Sequence, residues 1–140
     1  MKINYRCTLK KQEDGRFLVT FPDFEEAITE GETVEEAIFN AEEVLTLTLE
    51  GRMEEGLSIP LPTLTADKGE TLIFPYPRVQ AALLVKLTRG HHTLADLART
   101  LETSWPSVAR LEDPHHWSSL KQLSKTATAL GQKLVLSFEK

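Results

Sequence analysis

The sequence predicts an α+β protein, in which a β-β-β-α-β module precedes four helices and a short C-terminal strand. Two patterns support this class. Apolar residues alternate with polar ones in residues 3–10 and again in 17–21, which is typical of half-buried strands. They recur at helical spacings of three and four in residues 34–48 and again in the second half. Residues 52–70 are rich in turn formers and read as a loop. We expect one domain at residues 1–75 and a second at 76–140.

The first strands are predicted from apolar residues at every second position. The first strand has Ile3, Tyr5, Cys7 and Leu9, and the second has Phe17, Val19 and Phe21. Gly15 lies between them and suits a hairpin turn, because glycine adopts positive φ without a steric penalty. Residues 24–29 are expected to form a third strand, and the apolar run 72–74 a fourth that completes the sheet.

Residues 33–51 have the pattern of an amphipathic helix. Thr33 and Glu36 have the spacing of a capping box, in which each side chain satisfies a free backbone N–H at the helix start. The apolar stripe consists of Val34, Ala37, Ile38, Ala41, Val44 and Leu45. Gly51 suits a C-terminal cap, which places the end of the predicted helix there.

The composition fits a folded protein, and its charge is uneven. Of the 140 residues, 41% are hydrophobic and 26% are charged. Residues 1–70 hold 7 Lys/Arg and 16 Asp/Glu, whereas residues 71–140 hold 9 and 5. An acidic half joined to a basic half predicts two different partners, although two solvated helix faces would give the same split.

Several features bear on where the chain works. No apolar run approaches the roughly 20 residues that span a bilayer. Residues 1–6 lack the pattern of a signal peptide, and Cys7 is the only cysteine, which leaves neither an internal disulfide nor a cysteine-based zinc site. We therefore expect a cytoplasmic protein with no membrane partner.

The second half predicts four helices, of which the middle two are short. Thr93 and Asp96 have capping spacing at the start of the second, residues 94–101, and Ser104 caps the third, residues 104–113. Two short helices joined by a tight turn, with the second presented outward, form the helix-turn-helix that reads DNA. The sequence resembles the lambda-repressor/Cro-type family in residues 93–98, 104–112 and 120–131.

This resemblance implies that the third helix enters the major groove with Trp105, Ser107 and Arg110 toward the DNA. Arginine can pair with guanine O6 and N7 through two parallel hydrogen bonds. The full predicted DNA-binding set is Thr93, Ser104, Trp105, Pro106, Ser107 and Arg110. Glu102 stands where the family has glycine, so either the turn is reshaped or Thr103 absorbs the change. A generic helical bundle with Trp105 partly buried is the alternative.

A final strand is predicted from Leu134, Leu136 and Phe138, which alternate with Val135 and Ser137. Its free edge could join two copies of the chain. A helix-turn-helix domain of small net charge needs dimerisation to bind DNA tightly, so we expect a homodimer or a higher oligomer.

Three short motifs stand out in the first half of the chain. They are Phe21-Pro22-Asp23, Gly31-Glu32-Thr33-x-x-Glu36-Ala37 and Ile59-Pro60-Leu61-Pro62. They are similar to the signature of the HicB antitoxin family. The resemblance implies a partial RNase H-like fold that binds and neutralises a HicA-type toxin, which is a small basic RNase that cleaves mRNA. It also implies that the helix-turn-helix represses the operon by binding operator DNA. Phe24, Glu25 and Glu26 follow the first motif and are expected to contact the toxin, with an ordinary solvated loop as the alternative.

Two other functions fit parts of the sequence. A free-standing helix-turn-helix regulator would use the acidic module to sense a ligand or another protein. A metal-dependent nuclease would use Asp23, Glu25 and Glu26, although carboxylates so close in sequence are more often surface charge. The adjacent histidines at 91–92 and 115–116 point in different directions on regular backbone, unlike metal ligands. We therefore predict no enzymatic activity, no catalytic or metal-binding residues and no cofactor.

Overall fold

An antiparallel sheet and one long helix make up the N-terminal part of the chain. The computed structural model describes all of residues 1–140, which divide into two compact units, residues 1–80 and 81–140. The first unit contains β1 (Tyr5–Lys11), β2 (Phe17–Phe21), β3 (Phe24–Gly31), α1 (Val34–Glu55) and β4 (Glu70–Ile73). The strands lie in the order β3-β2-β1-β4, with every neighbouring pair antiparallel. The α+β class and the β-β-β-α-β order are as predicted.

The core of this unit lies between the sheet and α1. Alternate residues of β1 and β2 are buried, as the period of two predicts, and α1 packs on the sheet, mostly against β3. The buried residues of α1 that face the sheet are Ala37, Ala41, Leu45 and Leu49. Small alanines near the start of α1 let the helix approach the strands closely. The approach is tightest at Gly31, where a Cβ atom would lie 2.7 Å from Ala37 Cα.

The helix α1 runs further than the sequence indicates. Thr33 caps its start by accepting a hydrogen bond from the Glu36 N–H, as predicted. Gly51 does not end it; the helix continues to Glu55 and Gly56 takes the left-handed conformation at φ 69°. A glycine inside a helix costs only about 1 kcal/mol relative to alanine. In the following turn Arg52 donates hydrogen bonds to Glu26 and to the Ser58 carbonyl, and Gly56 supplies the positive φ that the cap requires.

Four helices follow the sheet. They are α2 (Pro77–Arg89), α3 (Leu94–Thr100), α4 (Trp105–Leu111) and α5 (Leu120–Ala129). The second unit begins within α2, and its core consists of Val85, Leu97, Ala98, Val108 and Leu111. The last helix starts later than expected, so that Trp117 precedes it and is exposed. None of the helices combines the length and the apolar content needed to cross a membrane.

The predicted C-terminal strand is not formed. Residues 132–140 have no regular secondary structure, and the side chains of Val135, Leu136 and Phe138 are exposed. A strand is stabilised by ladder hydrogen bonds to a neighbouring strand, and the single chain provides none beside this segment. The segment therefore has the alternating pattern of a strand but no neighbouring strand in the same chain to pair with.

Candidate functional site

The turn between α3 and α4 determines how α4 is presented. Leu101 is the C-cap of α3, and Glu102 follows at φ 53°, the one residue other than glycine with positive φ. The Glu102 N–H donates to the Arg99 carbonyl and the Thr103 N–H to the Ala98 carbonyl, 3.1 and 3.0 Å. These two bonds form a Schellman cap. Glu102 itself thus takes the left-handed conformation, at a steric cost of about 1–2 kcal/mol. Thr103 keeps an ordinary negative φ.

Both short helices begin at hydroxyl caps. The Thr93 hydroxyl accepts from the Asp96 N–H at 3.0 Å, and the Asp96 carboxylate accepts from the Thr93 N–H. Hydrogen bonds to the Asp96 carboxylate, from the Thr93 side chain and from the Thr93 backbone N–H, lower the pKa of Asp96. The Ser104 hydroxyl accepts from the Ser107 N–H at 3.3 Å and lies 2.9 Å from the Ser107 hydroxyl. The hydroxyls of Thr93 and Ser104 therefore fix the two helix starts.

One side of α4 is buried and the other is free. Val108 and Leu111 lie in the core of the second unit. The six predicted DNA-binding residues, Thr93, Ser104, Trp105, Pro106, Ser107 and Arg110, are all exposed. Trp105 is 55% exposed and lies outside the core of the second unit.

An ion pair that sequence reasoning missed holds α4 in place. The Arg89 guanidinium at the end of α2 donates two hydrogen bonds to the Glu112 carboxylate, 2.5 and 2.9 Å, and a third to the His92 carbonyl at 2.6 Å. Both side chains are largely buried, and the bonds to Glu112 raise the pKa of Arg89. A two-point arginine–carboxylate contact fixes direction as well as distance. Arg110, two residues before Glu112, remains free of ion pairs.

The three residues predicted to contact the toxin lie in different environments. Phe24 is fully buried, with its ring centroid 4.9 Å from that of Tyr5 in an edge-on arrangement. Glu26 accepts two hydrogen bonds from Arg52, 2.7 and 2.8 Å, which lower its pKa to about 2. Only Glu25 is exposed without a partner in the chain. The Arg52 guanidinium also lies over the Phe24 ring, 4.9 Å from its centroid, and no sequence signal links these positions.

The carboxylates considered for a metal site do not converge. Asp23 pairs with Arg6 at 3.3 Å, and the same guanidinium lies 3.7 Å from Glu70. The chain holds no group of three or more His, Cys, Asp or Glu side chains placed to bind a metal ion.

Comparison with known proteins defines the class and then the family. Residues 4–76 match the model of a family described as HicB_like antitoxin of bacterial toxin-antitoxin system. Antitoxin HicB 1 of Photorhabdus laumondii is 32% identical over 98% of this chain and 88% of its own length. Antitoxin HicB of Escherichia coli K12 is 30% identical over 96% of this chain and 98% of its own length. The chain belongs to the HicB-like antitoxin family.

A solved structure is similar to part of the chain. The crystal structure of the N-terminal domain of Burkholderia pseudomallei antitoxin HicB is 22% identical, with a TM-score of 0.43, and the match covers 51% of this chain and 95% of that one.

Proposed function

We propose that this antitoxin binds and neutralises a HicA-type toxin and represses its own operon by binding operator DNA, both in the cytoplasm. The observation that carries the proposal is the presence, in one chain, of an acidic sheet unit and a helical unit with a free α4. Residues 17–51 contain ten Asp/Glu and no Lys, Arg or His. The second unit, residues 81–140, holds eight Lys/Arg and five Asp/Glu.

The acidic unit suits a toxin that cleaves mRNA. A protein that binds the phosphates of RNA needs a basic surface, and an acidic partner of complementary charge accelerates association and competes with RNA for that surface. The order of strands and helix in this unit is that of a partial RNase H-like fold, which we propose for it. The chain acts by covering the toxin and needs no catalytic residue of its own.

The helical unit suits operator DNA. In a helix-turn-helix, the second helix lies in the major groove and its first residues contact base edges. Here α3 and α4 take these roles, with Trp105 and Arg110 on the free side of α4. Arg110 pairs with a guanine, and the exposed hydroxyls of Thr93 and Ser104 approach phosphates.

The C-terminal tail suits a second copy of the chain. Residues 132–140 present alternating apolar side chains that no strand of the same chain covers. An antiparallel pair of tails would satisfy both backbones, bury Leu134, Leu136 and Phe138, and place two copies of α4 on successive half-sites.

Co-expression with the toxin tests the main proposal. Induction of a HicA-type toxin is expected to stop growth, and induction of this chain with it is expected to restore growth. Pull-down of the toxin with the tagged antitoxin supplies the direct measurement. DNA binding without any toxin partner would contradict the proposal and favour a free-standing regulator.

Arg110→Ala is expected to weaken operator binding by about 1–3 kcal/mol and to relax the preference for one base, because a two-point contact with guanine is lost. Fluorescence anisotropy with operator and mutated-operator DNA measures both effects. Arg99→Ala is the control, since Arg99 is an exposed arginine of α3 that pairs with Asp96; it should affect all sequences alike. Equal loss of toxin binding by Arg110→Ala would show that Arg110 is structural.

A further inference from the structure

The outward side of α1 carries exposed apolar side chains between carboxylates. Phe39 is 63% exposed and Leu47 is 57% exposed, and Glu43 lies between them on the same side. Residues three and four apart on a helix are neighbours on its surface. Glu36, Phe39, Glu43 and Leu47 therefore form one continuous surface, which we call the α1 outer face.

No element of the first unit covers the α1 outer face. The opposite side of α1 packs on the sheet. The chain after β4 crosses α1 beside this face, where the Tyr76 N–H donates to the Thr46 hydroxyl at 2.9 Å and Arg78 pairs with Glu50. These contacts bury Thr46 and Glu50 but leave Phe39 and Leu47 open. Two large apolar side chains exposed on one side of a single helix, about two turns apart, are typical of an interaction site.

The charged residues around the α1 outer face indicate which kind of partner would bind there. The nearest cation along the helix is Arg52, which Glu26 occupies with two hydrogen bonds. Exposed Glu36 and Glu43 repel the phosphates of a nucleic acid and attract Lys and Arg side chains. The occupant that fits is a protein with a basic surface and apolar residues within it.

We infer that the α1 outer face docks the basic, RNA-binding surface of the toxin, an inference that rests on the function proposed above. Phe39 and Leu47 are the apolar anchors, because large side chains in the middle of an interface carry most of its binding energy. Glu36 and Glu43 pair with the lysines and arginines that would otherwise hold RNA phosphates. The toxin contact thus lies on α1 and not at Phe24, which is buried.

Binding measurements on the full chain test this surface. Phe39→Ser and Leu47→Ser are each expected to raise the dissociation constant for the purified toxin about thirtyfold, measured by isothermal titration calorimetry. Ile28→Ser is the matched control, because Ile28 is also 57% exposed but lies on β3; it should change the constant less than about threefold. Urea unfolding of each variant shows whether the fold is retained.

A second pair of variants tests the charge. The double variant Glu36→Gln, Glu43→Gln is expected to slow association with the toxin about tenfold at low salt, with the difference disappearing at high salt, because salt screens exposed charges. Failure of the unmodified chain to bind the toxin would overturn the proposed function and this inference together. Unchanged binding by Phe39→Ser and Leu47→Ser, or equal weakening by Ile28→Ser, would overturn the α1 docking surface alone.

Discussion

Phe24→Ala is expected to lower the free energy of unfolding by about 3–5 kcal/mol, the usual cost of emptying the space of a buried phenyl ring. Phe24 is fully buried, packs edge-on against Tyr5 at 4.9 Å and lies 6.5 Å from the Phe21 ring centroid. Its loss also removes the ring beneath the Arg52 guanidinium. Urea unfolding followed by circular dichroism gives the change directly.

Phe39→Ala is the control for this prediction. Phe39 is an exposed phenyl ring of the same unit, so its removal should change the free energy of unfolding by no more than about 0.5 kcal/mol. The sequence predicted a toxin contact at Phe24, whereas the structure buries Phe24 and exposes Phe39. If Phe24→Ala left stability unchanged and abolished toxin binding, Phe24 would be a contact residue and its buried position would be wrong.

Deleting residues 132–140 is expected to convert the proposed dimer to a monomer and to weaken binding to a proposed operator of two half-sites about a hundredfold or more. The second half-site contact of a linked pair is intramolecular, and its loss typically costs a factor of 10² to 10⁴. Analytical ultracentrifugation measures the mass, and fluorescence anisotropy measures the affinity for DNA with one or two half-sites.

Point variants separate the tail's two sides. Leu136→Lys places a charge on the side shared with Leu134 and Phe138 and should dissociate the dimer, whereas Ser137→Lys lies on the alternate side and should have little effect. Toxin binding should survive in both variants. A deleted chain that stays dimeric and binds both half-sites as before would show that another surface joins the copies.

Most of the elements could be predicted from local physical chemistry. Alternation identified the first two strands of the sheet, and the caps at Thr33, Thr93 and Ser104 identified three helix starts within a residue. These features depend on neighbours a few residues apart, so the sequence contains all the information needed. The motif Phe21-Pro22-Asp23 shows what local patterns do not predict, which is how neighbouring strands pair. Its last two residues form the connection between β2 and β3, and Phe21, the last residue of β2, pairs with Phe24 beside a register shift.

The environment of individual side chains depended on contacts distant in sequence. Phe24 and Ala27 are both buried although they are three residues apart on β3, which pairs with β2 through a register shift. Arg52 meets Glu26 across 26 positions. Arg89 and Glu112 are 23 positions apart. Spacing within one element carries no information about such pairs.

The sequence by itself determined the α+β class, the order of the elements and the division of charge between the two halves. The tertiary structure decided which apolar residues are core and which are surface: Phe24 is buried, Phe39 is exposed, and the tail at Leu136 has the pattern of a strand without forming one. The physical reason is the same in each case. Burial and strand formation require a second surface, and only the folded arrangement shows whether the chain supplies that surface or leaves it for a partner.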